Sequence, residues 1–320
     1  MAVANPRIST AQPQATAQAA AETRHYGTAG RWLVAPALIY AIVVTQLPFF
    51  YTLYYSTFRY NLLRPERRAF VGLDNYRRTL FDDTIFREAL VNTLIFTVGA
   101  VAISLLLGLF YAELVNHRFP GRGIVRTMLI TPFLVMPVAA ALGWKNLMMD
   151  PDFGVIGWLL RAIQPGSDPW NPVWLAKYPR QAIIVMLVWR WAPFMMLILL
   201  AGMQSIDEEV REAARVDGAT PRQEFVGITL PHLYRFMQLG ALLGSVYIVQ
   251  EVDAIFMTTQ GGPGTLTTNL PYYVYETAIR GSQVGRGAAI GVVVVALTII
   301  AMTLLLRVLD RMLRGQYADR

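Results

Sequence analysis

Six segments of this 320-residue chain are each apolar over enough length to cross a lipid bilayer. A membrane-spanning helix needs roughly 20 predominantly apolar residues. The segments are continuously apolar and do not alternate with polar residues, which argues against membrane strands. They are residues 32–57, 92–115, 123–147, 182–203, 233–258 and 288–309. The sequence therefore predicts an all-α, polytopic membrane protein with six transmembrane helices.

The composition excludes several classes of function. Hydrophobic residues make up 55% of the chain, cysteine is absent and there are three histidines, so we expect no metal site. Neither lysine, Lys145 or Lys177, stands in a Walker A phosphate loop, so any ATP and Mg would be bound by partner subunits. The net charge of +7 is not gathered in a basic run, which argues against a nucleic-acid partner. We expect a protein that is not an enzyme and has no cofactor of its own.

The ends of the chain and its loops differ in composition from the spans. Residues 1–30 are rich in Ala, Gln, Thr and Pro, which predicts a disordered N-terminal tail. A transmembrane domain over 31–311 and a short tail over 312–320 follow. With both termini inside, the inner segments carry 14 cations and the outer loops 12, so charge only leans toward that orientation. The outer loop 58–91 has seven arginines among five acids and resembles a small folded cap.

The loop 205–231, between the fourth and fifth spans, is more structured than a connector requires. Ser205 and Glu208 form one capping-box pattern, and Thr220 and Gln223 form a second. Gly218 stands between them, where a helix commonly ends in a left-handed residue. The loop therefore predicts a helix, a tight turn and a second, short helix.

The surface of this loop favours docking on a protein over lying on lipid. A helix on lipid headgroups presents a large apolar face with Trp, Phe or Leu. The first predicted helix has only alanines and β-branched residues on its apolar face. Its charges predict Glu208–Arg211 and Glu212–Arg215 pairs at i,i+3 spacing. Pro231 is expected to interrupt the second helix before the next span.

Three stretches of the sequence resemble one protein family. The loop contains "EAARVDGATPRQEFVGITLP", which matches the EAA loop of the membrane subunits of binding-protein-dependent ABC importers. The segment "FMTTQGGP" at 256–263 is similar to one in the first of two permease subunits of maltose-type carbohydrate importers. The stretch 126–160 also resembles that family. The resemblance covers residues 30–310 and implies the type I ABC importer permease fold.

The resemblance also implies roles and partners. The EAA loop would form cytoplasmic coupling helices that dock on an ATPase subunit, with Glu212 and Gly218 as the central contact and turn. The residues that would couple to the ATPase are Glu212, Ala213, Ala214, Asp217, Gly218, Ile228, Leu230 and Pro231. Partners would be a second homologous permease, two ATPase subunits, an extracytoplasmic solute-binding protein and membrane lipid. Both termini would then be cytoplasmic, in a multi-pass protein of the bacterial inner membrane.

Polar residues within the fourth and fifth spans indicate a solute path or interhelical pairing. Aromatic rings with a few amides and carboxylates suit a solute that offers hydroxyl groups and C–H faces. By position relative to the markers of the family, the solute would contact Trp191, Phe194, Tyr247, Gln250 and Glu251. The alternative is that Arg190 pairs with Glu251 or Asp253 between helices, and that the aromatic residues only pack.

We therefore expect a permease subunit that translocates a carbohydrate, driven by ATP hydrolysis in partner subunits. The segment "RTMLITPFLVMPVAAALGWKNL" resembles permeases for sugar alcohols such as mannitol or sorbitol. The alternative is an ion-coupled secondary transporter in which Glu251, Asp253 and Arg190 relay protons or ions. That alternative leaves the structured loop 205–231 unexplained.

Overall fold

The computed structural model describes residues 12–164 and 170–318. The chain divides into two units, Met1–Tyr54 and Tyr55–Arg320. The α-helices are α1 (Gln12–Ser56), α2 (Asp74–Arg77), α3 (Thr84–Asn116), α4 (Arg122–Leu134), α5 (Pro137–Gly143), α6 (Val155–Ile163), α7 (Trp174–Lys177), α8 (Pro179–Gln204), α9 (Glu208–Val216), α10 (Pro221–Glu224), α11 (Leu230–Val249), α12 (Asp253–Met257), α13 (Leu270–Tyr275) and α14 (Val284–Ala318). Within the described residues, wide π turns lie at Arg78–Asp82, Trp144–Met148, Phe225–Thr229 and Glu276–Arg280.

Within the described ranges, four helices are long and apolar enough to cross a membrane. They are Trp32–Ser56, Thr84–Asn116, Pro179–Gln204 and Val284–Val308. Helix α4 and the segment Pro137–Met148, which is α5 with the π turn after it, form a fifth candidate, bent by 100° at the break between them. The fifth predicted span is divided into α11 and the short α12, with Gln250, Glu251 and Val252 between the two helices. The count of six spans therefore stays a prediction.

The disorder of the N-terminal tail stays a prediction, and helix α1 extends into that range. Helix α1 begins at Gln12 and therefore includes residues 12–30 of the predicted tail. Alanine and glutamine are good helix formers, and a run of them can extend a neighbouring helix without burying a core. The first eleven residues of the predicted tail lie outside the described part of the chain.

Helices α3 and α8 form the centre of the second unit. The close approach of the two helices depends on Gly108 of α3, where a Cβ atom would lie 2.6 Å from the Cβ of Met195. Met195, Met196 and Leu199 of α8 are fully buried. Helices α4 and α11 pack on α8, so α8 is enclosed by other helices. This arrangement brings the middle of α8 beside the end of α11, where the polar residues of the fifth span lie.

The loop 258–269, which contains the Gly-Gly-Pro segment, is fixed to α3 by a buried asparagine. The Nδ2 atom of Asn92 donates to the carbonyl oxygens of Thr265 and Thr268, at 2.9 Å each. The Oδ1 atom of Asn92 accepts from Nε of Arg180 at 3.0 Å. The hydroxyl of Thr93 accepts from the backbone of Leu270 at 2.9 Å. These bonds satisfy backbone groups that a buried loop would otherwise leave unpaired.

The loop 58–91 is a folded cap, as its mixed charges indicated. Strands β1 (Phe58–Arg59) and β2 (Ala69–Phe70) pair antiparallel. Asn75 of α2 donates to the carbonyl oxygens of Ser56 and Phe58, at 2.8 and 2.9 Å. At the end of the cap, Asp83 caps α3 by accepting from the backbone of Phe86 at 3.1 Å.

Candidate functional site

The predicted helix–turn–helix of the EAA loop is present. Helix α9 covers Glu208–Val216, and α10 begins at Pro221. Gly218 has φ of +83°, and the backbone of Ala219 donates to the carbonyl oxygen of Ala214 at 2.9 Å. A left-handed glycine with a bond across six residues is the Schellman ending of a helix. The turn therefore depends on a backbone conformation that glycine adopts at little cost.

One of the two predicted capping boxes forms. The hydroxyl of Thr220 accepts from the backbone of Gln223 at 3.4 Å, and the side chain of Gln223 accepts from the backbone of Thr220 at 2.8 Å. The prediction for Ser205 is wrong, because its hydroxyl donates to the carbonyl oxygen of Gly202 at 2.9 Å and lies 2.8 Å from Nε2 of His232. Asp207 takes the N-cap position of α9, without a side-chain bond. Ser205 therefore ends α8 and does not begin α9.

In the described chain, the predicted i,i+3 pairs of α9 do not form; Arg215 instead pairs with Glu224 across the turn and with Glu208 at the start of α9. Nε of Arg215 lies 3.2 Å from Oε2 of Glu224, and Nη1 lies 3.7 Å from Glu208. The hydrogen bond and charge of Glu224 raise the pKa of Arg215 above its ordinary value. Arg211 donates to the carbonyl oxygen of Met203 at 2.8 Å. Arg215 thus ties α9 to α10, which a pattern within one helix cannot reveal.

Pro231 does not interrupt the second helix. The chain stays helical from Pro221 through the π turn Phe225–Thr229 and along α11 to Val249. Pro231 lies in the first turn of α11 as the structure divides it, and the wide π turn precedes it. A π turn is a common way for a helix to absorb an extra residue, often at functional sites. The second helix of the EAA loop is therefore continuous with α11, which forms the larger part of the fifth predicted span.

The predicted coupling residues lie largely on the open surface of the described chain. Glu212, Ala213, Asp217 and Gly218 are exposed, and Ala214 is half-buried. Val216, between them, is 87% exposed. The remaining predicted coupling residues, Ile228, Leu230 and Pro231, are half-buried at the π turn and the start of α11.

A second site is a cavity of about 470 Å³ between α4, α8 and the end of α11. All five predicted solute-path residues line it, together with Phe133, Arg190, Val252 and Asp253. Phe133 was missed by the sequence reasoning, although it lies within the stretch that carried the family resemblance. In the sequence, Phe133 is marked only by the proline beside it within a predicted span. A phenylalanine in a span is too common a feature to indicate a site.

The aromatic residues of the cavity form one packed group. The ring centroids of Trp191 and Tyr247 are 5.4 Å apart at an interplanar angle of 25°, which is a stacked arrangement. Phe133 stacks on Phe194 at 5.4 Å and meets Trp191 edge-on at 5.7 Å. Trp191 is only 5% exposed, whereas Tyr247 is 55% exposed. Tyr247 therefore presents a ring to the cavity, and Trp191 supports it from behind.

The polar residues of the cavity include the ion pair that the packing alternative predicted. Nη1 of Arg190 donates to Oε2 of Glu251 at 3.1 Å, and the Glu251 side chain is 7% exposed. Oε1 of Glu251 accepts from the backbone of Ala254 at 3.1 Å. Gln250 donates to the carbonyl oxygen of Val246 at 2.8 Å, which leaves its amide oxygen as an acceptor. The ion pair and the aromatic group occur together, so pairing and a solute path are compatible.

Two buried donors at this cavity lack an acceptor in the described part of the chain. They are Nε1 of Trp191 and Nε of Arg190. A buried donor without a partner costs free energy, which a ligand oxygen or a water could recover. Among the described residues, no group of His, Cys, Asp and Glu is arranged to hold a metal ion. The site suits hydrogen bonding and ring stacking on a polar organic molecule.

The fold and the loop define a class of protein, a multi-pass membrane permease. Residues 104–315 match the model of the family "Binding-protein-dependent transport system inner membrane component". The chain is 33% identical over 290 residues to a probable ABC transporter permease protein, y4oQ, of Sinorhizobium fredii, which covers 90% of this chain and 91% of the relative. The trehalose/maltose transport system permease protein MalF of Thermococcus litoralis is 32% identical, over 84% of this chain and 90% of the relative.

A solved structure has the same fold. A bacterial ABC transporter involved in the import of the acidic polysaccharide alginate matches with a TM-score of 0.76 at 21% identity, over 92% of this chain and 99% of that chain. The chain therefore belongs to the family of binding-protein-dependent transport system inner membrane components. Permeases of this family are transport subunits without an ATPase site of their own, and they work with ATPase subunits and a solute-binding protein. The ion-coupled alternative finds no support.

Proposed function

We propose that this chain is one of two permease subunits that together enclose the path of a carbohydrate across the inner membrane. The observation that carries the proposal is the cavity in which an exposed Tyr247 ring and the amide of Gln250 lie beside buried donors. Sugars and sugar alcohols combine hydroxyl groups with C–H faces, which such a site can bind. Relatives with carbohydrate names support the class, and sugar alcohols remain the narrower expectation.

In this proposal the EAA loop is the contact with the ATPase. Its exposed residues around Glu212 and Gly218 form a rigid, small-residue surface, because Arg215 ties the two helices and Thr220 caps the second. Docking of this loop in the cytoplasm places both termini there and the folded cap 58–91 outside. ATP and Mg are bound by the partner, and the movement of the loop opens and closes the path.

The test uses the complete complex in proteoliposomes with its solute-binding protein. We expect ATPase activity to rise with one or a few carbohydrates when sugars, sugar alcohols and glycerol phosphates are compared. Tyr247→Ala should lower uptake of the stimulating solute without lowering assembly, and Tyr40→Ala in α1 is the matched control. Uptake that continues with an inactive ATPase and stops when the proton gradient is dissipated would contradict the proposal.

A further inference from the structure

Three acidic or strongly basic side chains line the cavity: Arg190, Glu251 and Asp253. Arg190 and Glu251 are 3.1 Å apart, and both are at least half-buried. A close pair of opposite charges leaves little net charge for a third group to sense. The pair therefore contributes shape and hydrogen bonds to the cavity more than charge.

Asp253 is the charge that this pair does not neutralise. It lies in the first turn of α12, is half-buried and lines the cavity. Among the described residues it forms no ion pair within 4 Å. Summed over the three side chains, the formal charge of the lining is −1. In a partly desolvated space, such a charge acts over a longer range than it does in water.

We infer that the half of the path built by this chain favours uncharged polyhydroxy solutes over anionic ones, and that Asp253 sets this preference. The inference rests on the proposed function and narrows its solute class. Family membership leaves the charge of the solute open, because the relatives described above are named for neutral trehalose and maltose and for acidic alginate. The unpartnered Nε1 of Trp191 can donate to a hydroxyl oxygen of such a solute.

The experiment measures the electrostatic potential of the cavity without knowledge of the natural solute. The chain has no cysteine, so the variant Tyr247→Cys contains a single thiol, which lies at the cavity. A cationic and an anionic methanethiosulfonate of similar size react with this thiol in the complete complex, and mass spectrometry of this chain follows each rate. Each rate is divided by the rate for a free thiol in solution.

We expect the cationic reagent to be favoured on the order of tenfold at low ionic strength, a preference that salt reduces. Asp253→Asn keeps the shape of the side chain and should bring the ratio close to one. Asp152→Asn, outside the cavity lining, is the matched control and should leave the ratio unchanged. Gln250→Cys provides a second position in the same cavity, so that the result does not depend on one thiol.

Several results would overturn the inference. A preference for the anionic reagent would show that Arg190 dominates the cavity, and an unchanged ratio in Asp253→Asn would remove Asp253 from the role. Failure of both thiols to react would show that the cavity does not admit polar solutes of this size. These reaction rates are measured independently of uptake. If the cavity has the expected potential but the complex imports no carbohydrate, only the proposed function is contradicted.

Discussion

Variants of Gly218 allow the strain of the turn to be separated from the proposed contact with the ATPase. Its φ of +83° lies in the left-handed region, and a Cβ atom added there would meet nothing within 4 Å in this chain. A substitution therefore strains the backbone but clashes with no described neighbour. Any steric loss must come from a partner that approaches the turn. Backbone strain and steric contact with a partner differ in size among the variants Gly218→Ala, Gly218→Asn and Gly218→Asp.

The expected cost of strain follows from backbone conformation. A left-handed residue with a Cβ atom costs roughly 1–2 kcal/mol, and asparagine and aspartate tolerate the conformation better than alanine does. Strain alone would therefore make Gly218→Ala the most harmful change. If a partner surface covers the turn, the larger side chains are worse, and coupling falls in the order Gly, Ala, then Asn and Asp.

The assay is solute uptake per ATP hydrolysed in proteoliposomes that contain the complete complex. We expect Gly218→Asp to uncouple hydrolysis from uptake while the thermal stability of the purified permease changes little. Gly218→Ala should retain more coupling than Gly218→Asn. Normal uptake in Gly218→Asp, or an alanine variant worse than the asparagine variant, would refute docking at this turn.

Three further predictions concern the second unit. Asn92→Ala should lower the free energy of unfolding by about 2–4 kcal/mol, because it leaves buried carbonyl oxygens unpaired; unchanged denaturation in detergent would contradict this. Burial and a hydrogen bond to Asp83 raise the pKa of Tyr273 to about 12. The tyrosine of the unfolded chain ionises first, from about pH 10, so the free energy of unfolding should fall as the pH rises above that value. Tyr273→Phe should remove this part of the decline. Trp191→Leu should weaken uptake because Tyr247 loses its stacked support, and the same change in a Tyr247→Ala background should have little further effect.

The elements that the sequence predicted correctly depend on neighbours along the chain. The second capping box and the left-handed turn follow from the residue types of Thr220, Gln223 and Gly218 at fixed spacing. The five solute-path residues were placed by position relative to the family's markers, and the structure brings them to one cavity. Their contact with solute stays a prediction.

The elements that the sequence did not reveal depend on contacts between segments. Arg215 had partners available at i,i+3 spacing, yet it binds Glu224 across the turn. Ser205 had a capping pattern, yet Nε2 of His232 in α11 lies 2.8 Å from its hydroxyl. The buried position of Trp191 behind Tyr247 likewise follows from the packing of α4, α8 and α11, which no local pattern contains.

Because the chain is helical from Pro221 to Val249, a rotation of the loop would displace the distant end of the same helix. Tyr247 lies 26 residues beyond Pro221, which at 1.5 Å per residue is a rod of about 40 Å. A tilt of about 5° at the loop end would displace the far end by about 3.5 Å, comparable with the length of a hydrogen bond. If the loop docks as proposed, a small rotation of the loop would therefore make or break a contact at Tyr247 without unfolding the helix.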